Sequence, residues 1–306
     1  MTATAGRVIV AGGGPVGLMN ALGLARAGVP VLLIEQEPAL TIDLRAGSYH
    51  PPTLEAMAPY GITDRMLERG IKVRQWQTRD RKNPEWVANW DLGLIADLTP
   101  YPYRLHLEQH QLTPIILDIL CREPLAEIRF STRFTGVTQD ADGVHVTVEG
   151  PGGEECIDGA YLIGADGGRS NVRKAIDMPF EGFTWQERFF VISTSFDFQT
   201  IGYAKNAYIA DPDQWSTLFQ MPGNPGDAPY WRIVIPTDSN VPEEAIQDPA
   251  AVQSWLRNYF GERDYHVLYS SFYRVHQRVA RNFRAGRVLL AGDAAHLNNP
   301  LGAFGL

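Results

Sequence analysis

Apolar runs bounded by glycine and polar turns alternate along this chain and predict a succession of strands and helices. The run Arg7–Ala11 predicts a buried strand, Pro15–Ala27 a helix and Val31–Ile34 a second strand. Apolar residues recur at helical spacing over Gln111–Cys121, which predicts a further helix. This strand–helix alternation is typical of an α/β fold with a parallel sheet.

Two other stretches have a different pattern. Short strands separated by Asp/Gly turns run from Glu127 to Asp158 and predict an antiparallel β-meander. From Phe183 to about Tyr273 the chain is rich in aromatic residues, and long strands dominate around one helix over Pro249–Tyr259. We therefore predict an α/β fold (α+β overall): a Rossmann-like dinucleotide-binding domain with a β-meander, and a sheet-based substrate domain. The predicted boundaries are 1–74, 103–180 and 275–306 for the first domain and 75–102 and 181–274 for the second.

The opening strand–helix–strand unit carries a G-x-G-x-x-G pattern. Gly12 permits the tight turn after the strand, Gly14 lets a pyrophosphate approach the backbone, and Gly17 lets the helix pack closely on the sheet. The helix N-terminus offers amide groups to a diphosphate, and Glu35 can accept hydrogen bonds from a ribose. The residues predicted to contact the dinucleotide here are Gly12, Gly14, Pro15, Val16, Gly17, Glu35 and Gln36.

Three apolar strands each run into a Gly/Asp turn: VIVAGGG, YLIGADGG and VLLAGDAAH. In a doubly wound sheet such strand ends lie along one edge, where ligands bind. Asp166 and Asp293 are therefore expected at the same edge as Gly12. Each carboxylate can accept from sugar or polyol hydroxyls, or it can cap the following helix.

The overall composition and charge limit the classes of binding partner that the chain is expected to have. A length of 306 residues is typical of about two domains. The net charge of −8, with no basic run, argues against a nucleic-acid or anionic-membrane surface. Two cysteines indicate a reducing compartment, and the opening apolar run lacks the features of a signal peptide or membrane helix, so we expect a cytoplasmic protein with no membrane contact.

On these motifs the chain resembles the single-component flavoprotein aromatic monooxygenases of the p-hydroxybenzoate hydroxylase type. GGGPVG with Glu35 is similar to the family's FAD adenosine site, GADGGRSNVR (164–173) to its DG motif, and GRVLLAGDAAHLNNPLGAFG (286–305) to its GD motif. Arg45-Ala46-Gly47 is similar to a segment that lies by the flavin, and Gln109 to a glutamine that contacts FAD. The remaining cofactor residues that the resemblance implies are Asp166, Gly167, Gly292, Asp293, Pro300 and Gly302.

The resemblance implies hydroxylation of a small phenolic substrate. NADPH or NADH, which binds transiently, reduces FAD, and O₂ then forms a flavin C4a-hydroperoxide that hydroxylates the ring. No second G-x-G-x-x-G is present for a nicotinamide, as in that family. The chain stops at Leu306, just after the GD motif, where the family continues with a helix, so we expect a truncated member of the family. A homodimer is compatible with the resemblance.

The substrate is expected against the aromatic-rich sheet. Period-two alternation indicates that Phe219 and Met221 share a face, and Arg232 lies on the next strand; these three are the predicted substrate residues, although aromatic side chains here can equally form the sheet core. The family's benzoate-binding arginine is not matched, and Met221 falls near its place, so a carboxylated substrate needs another partner, such as Arg232, or is not the substrate. His50 and Arg232 are the candidate catalytic residues, and histidine spacing predicts no metal site.

Three alternatives stay open at this point. A flavin-dependent halogenase has a W-x-W-x-I-P signature that is only half present in Trp231–Pro236. A non-catalytic FAD-binding module fits a short chain. A nicotinamide dehydrogenase that uses the first motif alone leaves Asp166 and Asp293 unexplained.

Overall fold

The computed structural model describes residues 6–42, 47–83 and 86–299. These residues form two compact units. The described residues of the first unit are 6–42, 109–183 and 276–299, and those of the second are 47–83, 86–108 and 184–275. Residues 47–74 and 103–108, which the predicted boundaries place in the dinucleotide-binding domain, pack in the second unit.

A six-stranded sheet forms the centre of the first unit. Its helices are α1 (Pro15–Arg26), α4 (Gln109–Leu120) and α5 (Asn171–Ala175). Its strands are β1 (Val8–Ala11), β2 (Val31–Ile34), β8 (Ala126–Arg129), β12 (Tyr161–Gly164), β18 (Arg284–Ala285) and β19 (Val288–Leu290). They lie in the order β18-β19-β12-β1-β2-β8, and β1, β2, β8, β12 and β19 run parallel. Four-residue apolar strands such as VIVA and VLLI are fully buried, as is typical of a sheet covered on both faces.

The predicted meander is present in the same unit as β9 (Arg133–Gln139), β10 (Val144–Gly150) and β11 (Gly153–Gly159). Val144, Val146 and Val148 alternate with polar residues and pack into the same core as Ile9 and Leu32. A short strand, β20 (His296–Leu297), pairs with the last part of β17 (Val267–Ala280). The doubly wound sheet and its meander therefore agree with the predicted fold.

Sheets also dominate the second unit. Its helices are α2 (Pro51–Met57), α3 (Ile62–Leu67), α6 (Glu243–Gln247) and α7 (Pro249–Phe260), with 3₁₀ turns at Ala58–Tyr60, Leu92–Ile95 and Phe198–Ile201. A small sheet contains β3 (Ser48–Tyr49), β4 (Ile71–Val73) and β7 (Arg104–His106). The strands of the large sheet are β5 (Gln75–Asp80), β6 (Trp86–Asp91), β13 (Phe180–Thr194), β14 (Asn206–Ala210), β15 (Ser216–Met221), β16 (Tyr230–Thr237) and β17, in the order β17-β13-β16-β15-β14-β5-β6.

The two faces of the large sheet differ. On one face Trp231, Ile233 and Ile235 pack with Val252 and Leu256 of α7 into a closed apolar core. The opposite face carries a smaller cluster, in which Phe189, Val191, Val234 and Val275 pack with partly buried aromatic residues, Trp215, Phe219 and Tyr273. No helix among the described residues combines the length and apolar character needed to span a membrane.

Candidate functional site

The glycine-rich turn after β1 is tightly packed at two of its glycines and open at the third. A Cβ on Gly12, whose φ is +113°, would lie 2.4 Å from the carbonyl oxygen of Ala165, and a Cβ on Gly17 would lie 1.9 Å from the oxygen of Gly12. A Cβ on Gly14 would meet no described atom within 4 Å. The first and third glycines therefore hold the turn against the sheet, while Gly14 leaves the surface accessible to a ligand.

Helix α1 begins at Pro15, with Gly14 as its N-cap. The first amides of a helix have no intrahelical acceptor and attract anions. The turn after β19 packs on this first helical turn, because a Cβ on Gly292 (φ +58°) would lie 2.7 Å from a methyl of Val16. Two of the three predicted motifs therefore meet at the helix N-terminus.

Glu35 lies beside the glycine turn. One of its carboxylate oxygens accepts from the amide of Gly13 at 2.5 Å, and the other accepts from the amide of Glu37 at 2.9 Å. Gln36 is exposed next to it. The strand end therefore presents a held carboxylate, with further acceptor capacity on each oxygen, at the edge where the resemblance expects a ribose.

Asp166 caps the helix that follows it. Its carboxylate accepts from the Ser170 hydroxyl at 2.5 Å and from the amides of Asn171 and Val172 at 2.7 and 3.1 Å. Of the two roles left open by the sequence, the capping role is the one seen in the structure, and a contact of Asp166 or Gly167 (φ +78°) with a cofactor stays a prediction.

A buried arginine joins the second and third turns. Arg173 is 5% exposed, and its guanidinium donates to the carbonyls of Gly168 and Ala294, both at 2.8 Å. It also lies over the ring of Phe180, 3.7 Å from the ring centroid. Asp293 lies exposed in the 3₁₀ turn Gly292–Ala294, next to the carbonyl that Arg173 holds. The DG and GD segments are thus fastened to one another by a side chain to which sequence reasoning gave no role.

Of the other predicted cofactor residues, the structure describes only Gly47 and Gln109. Arg45, Ala46, Pro300 and Gly302 lie outside the described residues. Gln109 is the first residue of α4 in the first unit. Gly47 belongs to the second unit, where a Cβ on it would lie 2.5 Å from the terminal methyl of Met221.

The three predicted substrate residues come together on one face of the large sheet. Phe219 pairs with Arg232 across β15 and β16, and Met221 pairs with Tyr230. A carboxylate that sequence reasoning missed, Glu108, lies against them: one of its oxygens accepts from Arg232 at 2.5 Å and from the hydroxyl of Tyr230. Arg232 also contacts the hydroxyl of Tyr269 at 3.1 Å.

His106, on β7, has a defined tautomer. Its Nδ1 lies 2.9 Å from the carbonyl oxygen of Gln220, which can only accept, so Nδ1 carries the proton and Nε2 is an acceptor. Burial lowers the pKa of His106 to about 4, so the ring is neutral near pH 7. Its ring meets the edge of Phe219, with centroids 5.9 Å apart.

Five buried polar atoms around this face have no hydrogen-bond partner within the described part of the chain. Ser48 pairs with His106 between β3 and β7, and Ser193 pairs with Arg232 between β13 and β16. Buried polar atoms are nearly always hydrogen-bonded in folded proteins, so such a group indicates a place for an ordered water or a polar ligand. The atoms are Ser48 Oγ, Arg104 Nε, His106 Nε2, Glu108 Oε2 and Ser193 Oγ.

Sequence reasoning set His106 aside because its spacing does not suit a metal and did not single out Glu108. The alternation L-H-L-E puts both residues on one side of the chain, which was the available signal. His50, one of the two catalytic candidates, precedes α2 and lies close enough to affect the pKa of His106. Across the described residues, no three His, Cys, Asp or Glu side chains group as a metal site would require.

Buried His106 should make the protein sensitive to acid. The unfolded chain takes up a proton at its ordinary pKa of 6.5, whereas folded His106 does so only near 4, so the free energy of unfolding falls as the pH drops through that window. Between pH 7 and pH 5 we expect the wild type to lose about 2 kcal/mol more than His106→Gln, measured by urea unfolding. Parallel losses in the two proteins would contradict the assignment.

Comparisons with known proteins agree with these features. The sequence profile of a family described as FAD binding domain matches residues 6–306. Para-nitrophenol 4-monooxygenase of Pseudomonas sp. (strain WBC-3) is 35% identical over 301 residues, which cover 98% of this chain and 73% of the relative. 6-Hydroxy-3-succinoylpyridine 3-monooxygenase of Pseudomonas putida (strain DSM 28022 / S16) is 35% identical over 302 residues, covering 98% and 75%.

Solved structures show the same fold. The crystal structure of p-nitrophenol 4-monooxygenase from Pseudomonas putida DLL-E4 superposes with a TM-score of 0.90 at 35% identity, over 99% of this chain and 75% of that one. Aklavinone-11 hydroxylase, solved with FAD and aklavinone, gives a TM-score of 0.81 at 26% identity, over 100% of this chain and 60% of that one.

Proposed function

This chain belongs to the FAD-binding family of flavoprotein monooxygenases that includes aromatic hydroxylases, and we propose that it hydroxylates a small phenolic compound with NAD(P)H and O₂ as co-substrates. The observation that carries the proposal is the buried polar face of the second unit, where acceptors and hydroxyls surround Phe219 and Arg232. A non-catalytic FAD-binding module does not require such a face.

The first unit fits FAD by its own geometry. The open surface at Gly14, the first turn of α1 and the carboxylate of Glu35 suit the pyrophosphate and ribose of the adenosine half. Asp293, at the same sheet edge, suits the ribityl hydroxyls. When bound and reduced by NAD(P)H, FAD supplies the oxygen-activating chemistry, for which side chains alone have no equivalent.

The second unit supplies binding and orientation. His106 Nε2 can accept from a substrate hydroxyl, and Ser48 and Ser193 can donate to or accept from a ring substituent. Phe219 and Met221 offer an apolar wall for the ring. These polar groups are buried from bulk water, and exclusion of water favours coupling of oxygen activation to hydroxylation.

Asp293→Ala should lower FAD retention strongly while leaving the fold intact, because the side chain is exposed. The dissociation constant for FAD should rise at least about tenfold, which corresponds to the loss of one or two hydrogen bonds to a charged acceptor, and the flavin-to-protein absorbance ratio after gel filtration should fall with it. Asp142→Ala, on an exposed turn of the meander, serves as the control and should keep its flavin. A fully yellow Asp293→Ala protein would rule out the ribityl assignment.

The function is tested by a visible spectrum of the purified holoprotein and a screen of phenols for stimulated oxidation of NADH and NADPH. We expect a flavin spectrum, stimulation by at least one phenol and a product that has gained one hydroxyl group. Product formation that requires chloride or bromide would favour a halogenase instead. Bound flavin with no stimulation by any phenol would favour a non-catalytic module, and colourless protein that cannot be reconstituted would favour a nicotinamide enzyme.

A further inference from the structure

The only arginine among the predicted substrate residues already has an internal counter-ion. Arg232 and Glu108 are 9% and 1% exposed, and their charged groups are 2.5 Å apart. The same Glu108 oxygen accepts from the hydroxyl of Tyr230, and the same arginine nitrogen lies 3.2 Å from that hydroxyl and 3.1 Å from that of Tyr269. The guanidinium is therefore fixed by a carboxylate and two phenols of the chain itself.

The charges of this pair cancel. Burial, the largest single effect, would lower the pKa of Arg232, but Glu108, Tyr230 and Tyr269 together outweigh it and raise the pKa, so the guanidinium stays charged. Burial also raises the pKa of Tyr230 and, elsewhere on the same face, the pKa of Tyr273. The hydroxyl groups of Tyr230 and Tyr273 therefore stay neutral. Arg104, whose charge also acts on His106, is held by the side-chain oxygen of Asn206 at 3.2 Å and lies over the ring of Trp76.

We propose that Glu108 is a specificity-determining residue that neutralises Arg232 and thereby excludes aromatic substrates carrying a carboxylate. This rests on the proposed function, because it concerns the same substrate face. A substrate carboxylate placed at Arg232 must either lie beside Glu108, where the two anions repel in a poorly screened environment, or displace it and leave a buried carboxylate unpaired. An uncharged aromatic compound has neither of these costs and can form hydrogen bonds with Ser48, His106 and Ser193.

Two nearly isosteric probes separate charge from shape. 4-Hydroxybenzoate carries a carboxylate where 4-hydroxybenzamide carries an uncharged amide, and both have the phenol. Their dissociation constants are measured on the oxidised holoprotein by the perturbation of the flavin spectrum, without turnover. The wild type should bind the amide at least about 100-fold more tightly than the carboxylate.

Variants then assign the discrimination to Glu108. Glu108→Gln keeps the shape but removes the negative charge, and the ratio should shrink to less than about tenfold, chiefly through tighter binding of the carboxylate. In the double variant Glu108→Gln with Arg232→Met, the gain in carboxylate binding should disappear. Tyr269→Phe, which removes a neighbouring hydroxyl but no charge, should leave the ratio within about threefold of the wild type.

Each failure has its own signature. Equal binding of both probes by the wild type, or an unchanged ratio in a folded, flavin-loaded Glu108→Gln protein, overturns the inference even if some phenol is hydroxylated. If the ratio of the two dissociation constants responds to Glu108→Gln but no phenol stimulates NAD(P)H oxidation, the exclusion of carboxylates by Glu108 is supported and the proposed function is overturned. If neither probe binds the wild type or the variants, the inference fails, and the phenol screen alone decides the proposed function.

Discussion

Gly14→Val should abolish FAD binding while lowering the stability of the apoprotein by no more than about 1 kcal/mol, the cost of a poorer N-cap residue. Gly14 has φ −72° and ψ 177°, extended backbone that valine readily adopts, and a Cβ there meets no described atom within 4 Å. The space that valine would fill is where the pyrophosphate must approach the backbone. We expect at least about a 100-fold loss of affinity, or about 2.8 kcal/mol, when apoprotein is titrated with FAD and flavin fluorescence is followed.

Two further glycines give this experiment its controls. Gly152→Val introduces the same side chain into an open turn of the meander and should leave FAD affinity unchanged. Gly17→Ala should instead destabilise the fold, because its Cβ would lie 1.9 Å from the oxygen of Gly12. If Gly14→Val protein binds FAD like the wild type, the pyrophosphate must lie elsewhere.

Arg173→Met should strongly destabilise the first unit. Methionine retains much of the apolar contact with Phe180 but leaves the carbonyls of Gly168 and Ala294 without their donor. An unsatisfied buried polar group costs about 1–3 kcal/mol, so we expect a loss of about 2–4 kcal/mol in the free energy of unfolding, measured in urea on the apoprotein. FAD affinity should fall with it, since this side chain holds the DG and GD turns together.

Arg169→Met, in the same turn but at an exposed position, is the matched control and should change stability by less than about 0.5 kcal/mol. Equal stabilities of the two variants would show that the two carbonyls are satisfied without Arg173.

The parts of the site that sequence predicts well are local ones. The three glycines of the first motif lie within a single turn, at Gly12, Gly14 and Gly17. Glycine at each of these positions indicates directly the backbone geometry that the turn requires. The three strand ends are predictable as well, because parallel strands of a doubly wound sheet share one ligand-binding edge. The observed parallel order of β1, β12 and β19 confirms that these strand ends share one edge, and ligand binding there stays a prediction.

The role of Asp166 and the pairing of Glu108 with Arg232 could not be derived from the sequence, because both depend on the three-dimensional arrangement of other residues. An aspartate after a strand serves equally to bind a hydroxyl or to cap a helix, and only the positions of Ser170 and Asn171 show that Asp166 caps. The pairing of Glu108 with Arg232 joins residues far apart in sequence and depends on the registers of two different sheets. Arg232 could therefore be predicted as a substrate residue, but not the carboxylate that compensates it.

The most direct test of an aromatic hydroxylase is the origin of the oxygen in its product. Holoprotein, NAD(P)H and a phenol that stimulates NAD(P)H oxidation are incubated under O₂ labelled with a heavy oxygen isotope. The mass of the product is then measured by mass spectrometry. Our account predicts a hydroxylated ring carrying one heavy oxygen atom from O₂. A product whose new oxygen comes from water, or NAD(P)H oxidation that yields only hydrogen peroxide for every phenol tried, would contradict it.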